Sequence, residues 1–215
     1  RLGHWNPNPA SDATWTRHDP PFGGAYLIRE LLGETDLGSP YVYLSDGGHF
    51  ENLGIYELVR RRCACIVAID AGQDQNSTFE DLGNAIRKCY ADFGVTIEVC
   101  TNTLAHAYYV VGRIDYPDAP AGDLLYIKPR LNGDEPADLL NYRSVHPQFP
   151  HQSTSDQWFD ESQFESYRKL GHHIGRAVLA PALEETLQQS AAGAGPHSIL
   201  SGMCDVLRKR AEQER

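Results

Sequence analysis

The stretch CACIVAID (63–70) limits the folds open to this chain more than any other. It is an unbroken apolar run rich in strand formers, and it stops on Asp70-Ala71-Gly72. A strand that meets water on one side alternates apolar and polar residues. A continuous run instead reads as a strand covered on both faces, as in parallel sheets flanked by helices. Its neighbours fit that reading. YVYL (41–44) is a β-branched and aromatic run, hence a strand. Residues 53–62 read as a helix with Leu53, Tyr56 and either Leu58 or Val59 on one side. Strand, helix and strand over 41–70 predict a right-handed βαβ unit. In such sheets, sites collect at the carboxyl ends of the strands, where Asp46 and Asp70 both fall. The fold class is therefore α/β.

Downstream, Ser77-Thr78-Phe79-Glu80 has the form of a capping box. The helix it opens carries Phe79, Leu82, Ile86, Cys89 or Tyr90, and Phe93 at helical spacing, and Gly94 closes it. VTIEV (95–99), AYYVVGRI (107–114) and DLLYIKP (123–129) read as three more strands. No strong helix separates them, so part of the sheet is antiparallel and the whole is mixed. Residues 130–153 read as a long polar loop with Pro136, Pro147 and Pro150. Thr154-Ser155-Asp156-Gln157 predicts a second capped helix start, with Asp156 serving the cap. That helix carries Trp158, Phe164, Tyr167, Ile174 and Val178 until Pro181 breaks or kinks it. Upstream, residues 1–24 form an irregular lead-in, and residues 25–33 a short helix ended by Gly33. Two divisions follow: residues 1–189 as the body, and residues 190–215 as a small-residue linker with a short helical tail.

The net charge of −10 argues against a nucleic-acid partner, which needs a basic face. No apolar run approaches the roughly 20 residues that span a bilayer. The opening RLGHWNPNP has no apolar core of a signal peptide and no initiator Met, so the chain reads as a piece of a longer protein. Cys63, Cys65, Cys89, Cys100 and Cys204 are odd in number and too sparse for a disulfide scaffold. They read as reduced thiols of a reducing compartment, which leaves a cytoplasmic and a membrane-associated location both open. Cys63 and Cys65 lack the second pair that a zinc site needs, so no metal or cofactor is expected.

Asp46 is the foremost candidate. Gly47 and Gly48 free the backbone after it for a positive φ or a close approach. A plain helix cap is the bland alternative, although an Asp cap needs no pair of glycines. His49 reads as a turn-orienting imidazole before a base or ligand. Glu51 and Asn52 read as helix-entry residues. Asp70 reads first as a capping acid. His172 and His173 are adjacent on a helix and do not face one site. The chain carries no H-E-x-x-H, P-loop, G-x-G-x-x-G or G-x-S-x-G signature.

LSDGGHFENLGIYELVRRRC resembles the Asp-Gly-Gly block of bacterial patatin-like phospholipases, the group close to cytosolic phospholipases A. IVAIDAG, FEDLGNAIRKCYADFGV and FPHQSTSDQWFDESQFESYRKLG are similar to that group's C-terminal half, so the resemblance covers most of residues 1–180. It implies a three-layer α/β/α sandwich of patatin type, of which only the C-terminal portion is present. It also implies a Ser-Asp dyad in which Asp46 is the base, with Gly47, Gly48, His49 and Asn52 supporting the turn. The nucleophilic Ser and the oxyanion loop would lie upstream of this sequence. The implied substrate is a lipid or another acyl ester, and the upstream region leaves a membrane surface open as a partner. A relay of the proton through His49 is a variant of the same chemistry. Two rivals remain: a metal-dependent hydrolase using Asp46, His49 and Asp70, and a non-catalytic interaction domain on the same fold.

Overall fold

The computed structural model describes residues 3–105, 107–190 and 193–213. The chain divides into two compact units, Arg1–Asn52 and Leu53–Arg215. In the first, strand β1 (His4–Pro7) pairs antiparallel with β2 (Tyr41–Leu44), Trp5 opposite Tyr43. Aromatic residues hold this ribbon together. Trp5 is buried, and its ring centroid lies 5.0 Å from that of Tyr26 and 5.5 Å from that of Tyr43. Helix α1 (Gly23–Leu31) supplies Tyr26, and Gly33 ends the turn after it at φ 72°. The lead-in is irregular but tied down. Asn8 donates to the carbonyls of Leu37 and Ser39 at 2.8 Å each, and Thr14 donates to that of Pro40 at 2.6 Å.

The second unit is built on a four-stranded sheet of β3 (Cys65–Ile69), β4 (Thr96–Glu98), β5 (Tyr109–Asp115) and β6 (Gly122–Ile127), in the order β3-β6-β5-β4. β3 runs parallel to β6, and the β6-β5 and β5-β4 pairs are antiparallel. The protein is thus mixed α/β with a mixed sheet. β6 lies between β3 and β5 and is buried on both sides. Leu124 and Tyr126 join a core with Ile66, Ala68, Val110 and Ile114 of the sheet. Onto it pack Ile55 and Val59 of helix α2 (Ile55–Arg60), and Leu82, Ala85 and Cys89 of α3 (Glu80–Phe93). Leu125 and Ile127 point the other way, with Tyr109. They meet Leu139 of α4 (Ala137–Val145), Leu170 and Ile174 of α5 (Glu161–Ile174), Ala182 of α6 (Ala180–Gln189) and Leu207 of α7 (Pro196–Gln213). Helices therefore cover both faces.

Several expectations change. The βαβ unit over 41–70 does not form, because β2 pairs with β1 in its own ribbon and β3 belongs to the larger sheet. Aromatic cross-strand contacts with Trp5 decide the partner of YVYL. β3 is an edge strand buried on one face only: Ile66 and Ala68 are 1% and 2% exposed, but Val67 and Ile69 are 42% and 65%. The apolar run therefore did not mean two covered faces. On α2 the fully buried residues are Val59, as expected, and Ile55 one turn before it, while Leu53, Tyr56 and Leu58 pack partly buried against the same core.

Neither proposed capping box forms. Ser77 and Phe79 take positive φ values of 52° and 53°, and α3 starts only at Glu80. α5 starts at Glu161, capped by Asp160, whose Oδ1 accepts from the Gln163 amide at 2.7 Å. Asp156 instead accepts from the Trp158 amide at 3.1 Å in the preceding loop. The supposed loop 130–153 contains α4, entered from Pro136. Pro181 does not break the helical run. A π-turn over Gly175–Leu179 precedes it, with the Ala180 amide bonded to the Gly175 carbonyl, and the wider turn admits a ring that lacks an N–H. The tail is more than one amphipathic turn: α7 has 18 residues and buries Met203, Cys204, Val206, Leu207 and Ala211.

Candidate functional site

In the first unit, β2 delivers the chain to Ser45 and Asp46, after which Gly47–His49 make one tight 3-10 turn. Asp46 caps it: Oδ1 accepts from the Gly48 amide at 2.9 Å, and the Asp46 carbonyl accepts from His49 N at 3.2 Å. Asp46 is exposed, and Oδ2 has no partner among the described residues. One oxygen is thus fixed by backbone and the other is open to a reactant. The expected positive φ is absent at both glycines. The close approach is real at Gly48 alone, where a Cβ would lie 2.5 Å from Asn52 Oδ1 and 3.3 Å from Asp46 Oδ1. Gly47 has open space around its Cβ position. Asn52 is thereby placed against the turn.

His49 is exposed and does not bond the Asp46 carboxylate. Its Nδ1 lies 3.0 Å from Ser45 Oγ. Ser45 escaped the sequence reading because no nucleophile motif surrounds it. Its spacing of four from His49 across a turn was the available signal.

In the second unit, Asp70 stands just past the end of β3 and is 2% exposed. Its partners do not cap a helix. The Tyr126 hydroxyl donates to Oδ2, Lys128 Nζ lies 2.9 Å from the same oxygen, and the Gly72 amide donates to Oδ1 at 2.9 Å. An ammonium already occupies the place a cation would take. Lys128 Nζ also donates to the Gly72 carbonyl at 3.3 Å and lies 3.9 Å from Asp74 Oδ2. Burial pushes the Tyr126 hydroxyl well above its usual range, and the Asp70 carboxylate beside it adds to the shift. Burial also acts to raise Asp74. The amides of Thr78 and Phe79, the Thr78 hydroxyl and the Lys128 charge outweigh that and hold Asp74 below the ordinary value. Tyr126 and Lys128, two residues apart, were the signal for this buried pair.

His172 and His173 diverge as expected: His172 is exposed and His173 turns inward. Tyr108 donates to Asp134 Oδ1 at 2.8 Å and Glu135 Oε1 at 2.9 Å, and lies 3.4 Å from His173 Nε2. Asp134, Glu135 and His173 are the one group of three that could hold a metal ion among the described residues. The Tyr108 hydroxyl sits between them and accounts for the cluster as a hydrogen-bonded knot joining β5 to α5.

The fold and these sites define a mixed α/β protein with an exposed, backbone-held carboxylate. Compared with models of protein families, with curated proteins and with solved structures, the chain finds no match in any of the three. Among the described residues no helix is long and apolar enough to cross a membrane.

Proposed function

We propose that this chain is the C-terminal portion of a serine-type lipid acyl hydrolase and that it supplies Asp46 as the base of a Ser-Asp dyad. The observation that carries the reading is the asymmetry of that carboxylate: Gly48 N fixes Oδ1, while Oδ2, on an exposed residue at a strand end, has no partner among the described residues. A serine hydroxyl needs an acceptor within roughly 2.6–3.2 Å, and a carboxylate held on one side offers its other oxygen in a defined direction. The Asp-Gly-Gly-His block and the segments after it support the same reading by their resemblance to patatin-like phospholipases, as does a mixed sheet with helices on both faces. On this proposal the fold is the patatin-type sandwich, and sequence upstream of residue 1 brings the nucleophile and the oxyanion donors. The test is fluorophosphonate labelling and p-nitrophenyl ester turnover in the longer protein. Asp46→Ala should abolish both without unfolding, and wild-type turnover in that variant would refute the assignment.

The Ser45–His49 contact favours a second reading, in which Ser45 is the nucleophile and His49 its base. The labelling reagent separates the two. Modification of these 215 residues alone, lost on Ser45→Ala, selects the second.

A further inference from the structure

The second unit carries a cleft of about 570 Å³ whose walls include Lys128, Arg130, Arg143 and His151 and no aspartate or glutamate. That is unusual in a chain with 29 acidic and 19 basic residues. Lys128 is neutralised by Asp70, but the two arginines are not neutralised. Arg130 donates Nη1 to the Leu104 carbonyl, and Arg143 donates Nη1 to that of Phe149. Neither has an ion-pair partner among the described residues. Arg29, Arg60, Arg62, Arg113, Arg168 and Arg208 each lie within 4 Å of a carboxylate, and Arg17, Arg87 and Arg176, which like the cleft pair have no ion pair among the described residues, do not line this cleft. Arg130 Nε and His151 Nδ1 are also sealed from water without a partner; the only other such atom among the described residues is the Tyr41 hydroxyl. A buried donor left unbonded costs free energy, so Arg130 Nε, a donor in every state, marks a place where an acceptor is missing. The rest of the wall is apolar, with Leu104, Leu131, Leu140 and Pro150.

We propose that this cleft binds an amphiphilic anion, a phosphate or carboxylate group carried on an alkyl body. Arg130 and Arg143 take the anionic oxygens, for which their planar guanidinium groups are suited. The leucines and Pro150 cover the first carbons of the chain. His151 faces Lys128 and is held towards its neutral form by burial, so the positive charge comes from the arginines. The site stands whether or not Asp46 is a catalytic base, since it uses none of that turn.

The experiment is calorimetric titration of the 215-residue chain with monooctyl phosphate, octanoate, inorganic phosphate and octanol at low salt. The proposal expects octyl phosphate and octanoate to bind, inorganic phosphate to bind at least about tenfold more weakly, and octanol to give no signal. Added salt should weaken the two anionic amphiphiles. Arg130→Gln and Arg143→Gln should each weaken octyl phosphate about tenfold or more, with Arg143→Lys recovering part, and Arg87→Gln, off the cleft, should change nothing. Melting temperatures show which variants remain folded, and Arg143→Lys, which keeps the charge, serves if Arg143→Gln unfolds. Equal binding of octanol overturns the anion assignment. Inorganic phosphate binding as tightly as octyl phosphate overturns the amphiphile. Binding of none of the four, or unchanged binding in the folded arginine variants, overturns the site.

Discussion

Lys128→Met would break the most deeply buried ion pair described above. The Lys128 side chain is 8% exposed and that of Asp70 is 2%, with nitrogen and oxygen 2.9 Å apart. Removing one partner of such a pair costs about 3–5 kcal/mol, mostly because the other charge is left without its counter-ion. Asp70 would keep two donors, the Tyr126 hydroxyl and the Gly72 amide, which places the expected loss near the lower end, about 3 kcal/mol. For a protein of this size that is a fall of about 6–12 °C in melting temperature. Asp70→Asn should cost slightly less, about 2–3 kcal/mol, because the ammonium keeps the Gly72 carbonyl at 3.3 Å and Asp74 at 3.9 Å. The double variant removes both charges and should lose at least about 2 kcal/mol less than the sum of the single losses. Urea unfolding followed by helical circular dichroism reads the cycle, since α2–α7 all lie in the second unit. A Lys128→Met loss under about 1 kcal/mol, or strict additivity in the double variant, would refute the claim that the pair acts as a unit.

Asp74, rather than Ser77, should prove to hold the turn that leads into α3. Asp74→Ala strips the Thr78 and Phe79 amides of acceptors at 2.7 and 2.9 Å and should cost about 2 kcal/mol, whereas Ser77→Ala should stay within about 0.5 kcal/mol; the reverse order in urea midpoints would restore the capping box. His151 should make the protein less stable in mild acid. Burial, then the Lys128 charge, lowers its pKa from 6.5, while a hydrogen bond to the Gly72 carbonyl, then Asp74 and Asp70, act the other way. The unfolded chain then takes up the proton first, so stability is full above 6.5 and falls as pH drops from 6.5 towards the lower folded value. His151→Gln should flatten that slope in melting scans between pH 7 and 5, and an unchanged slope would remove His151 as its source.

Local pattern carried the element types and missed their company. YVYL, IVAI, AYYVVGRI and DLLYIKP were legible as strands, and part of the sheet as antiparallel, because propensity and adjacency are written in the residues themselves. What YVYL pairs with depends on Trp5, some 36 positions away, and no periodicity reports that. The capping boxes failed for a related reason. Asp74 holds the Thr78 and Phe79 amides in a turn before α3, and Asp160 caps α5 six residues after Thr154, so where each helix starts was set by geometry rather than by the pattern. The strand end and the tight turn at Asp46 were legible, because an acid and two glycines after a β-branched run signal a turn. The cleft arginines were not, since Arg130 and Arg143 belong to different segments that only the folded sheet and α4 bring together.

α7 has a consequence for how the chain is made. The sheet face bearing Tyr109, Leu125 and Ile127 is covered in part by Met203, Val206 and Leu207, which are synthesised some 80 residues after β6 begins. The hairpin of β5 and β6 is local and closes early, and β3 joins it across a span of 57 residues. Until α7 emerges from the ribosome, that face stays partly bare. The arrival of α7 therefore sets the moment in translation at which that face of the nascent second unit stops offering an apolar surface to chaperones and to other chains.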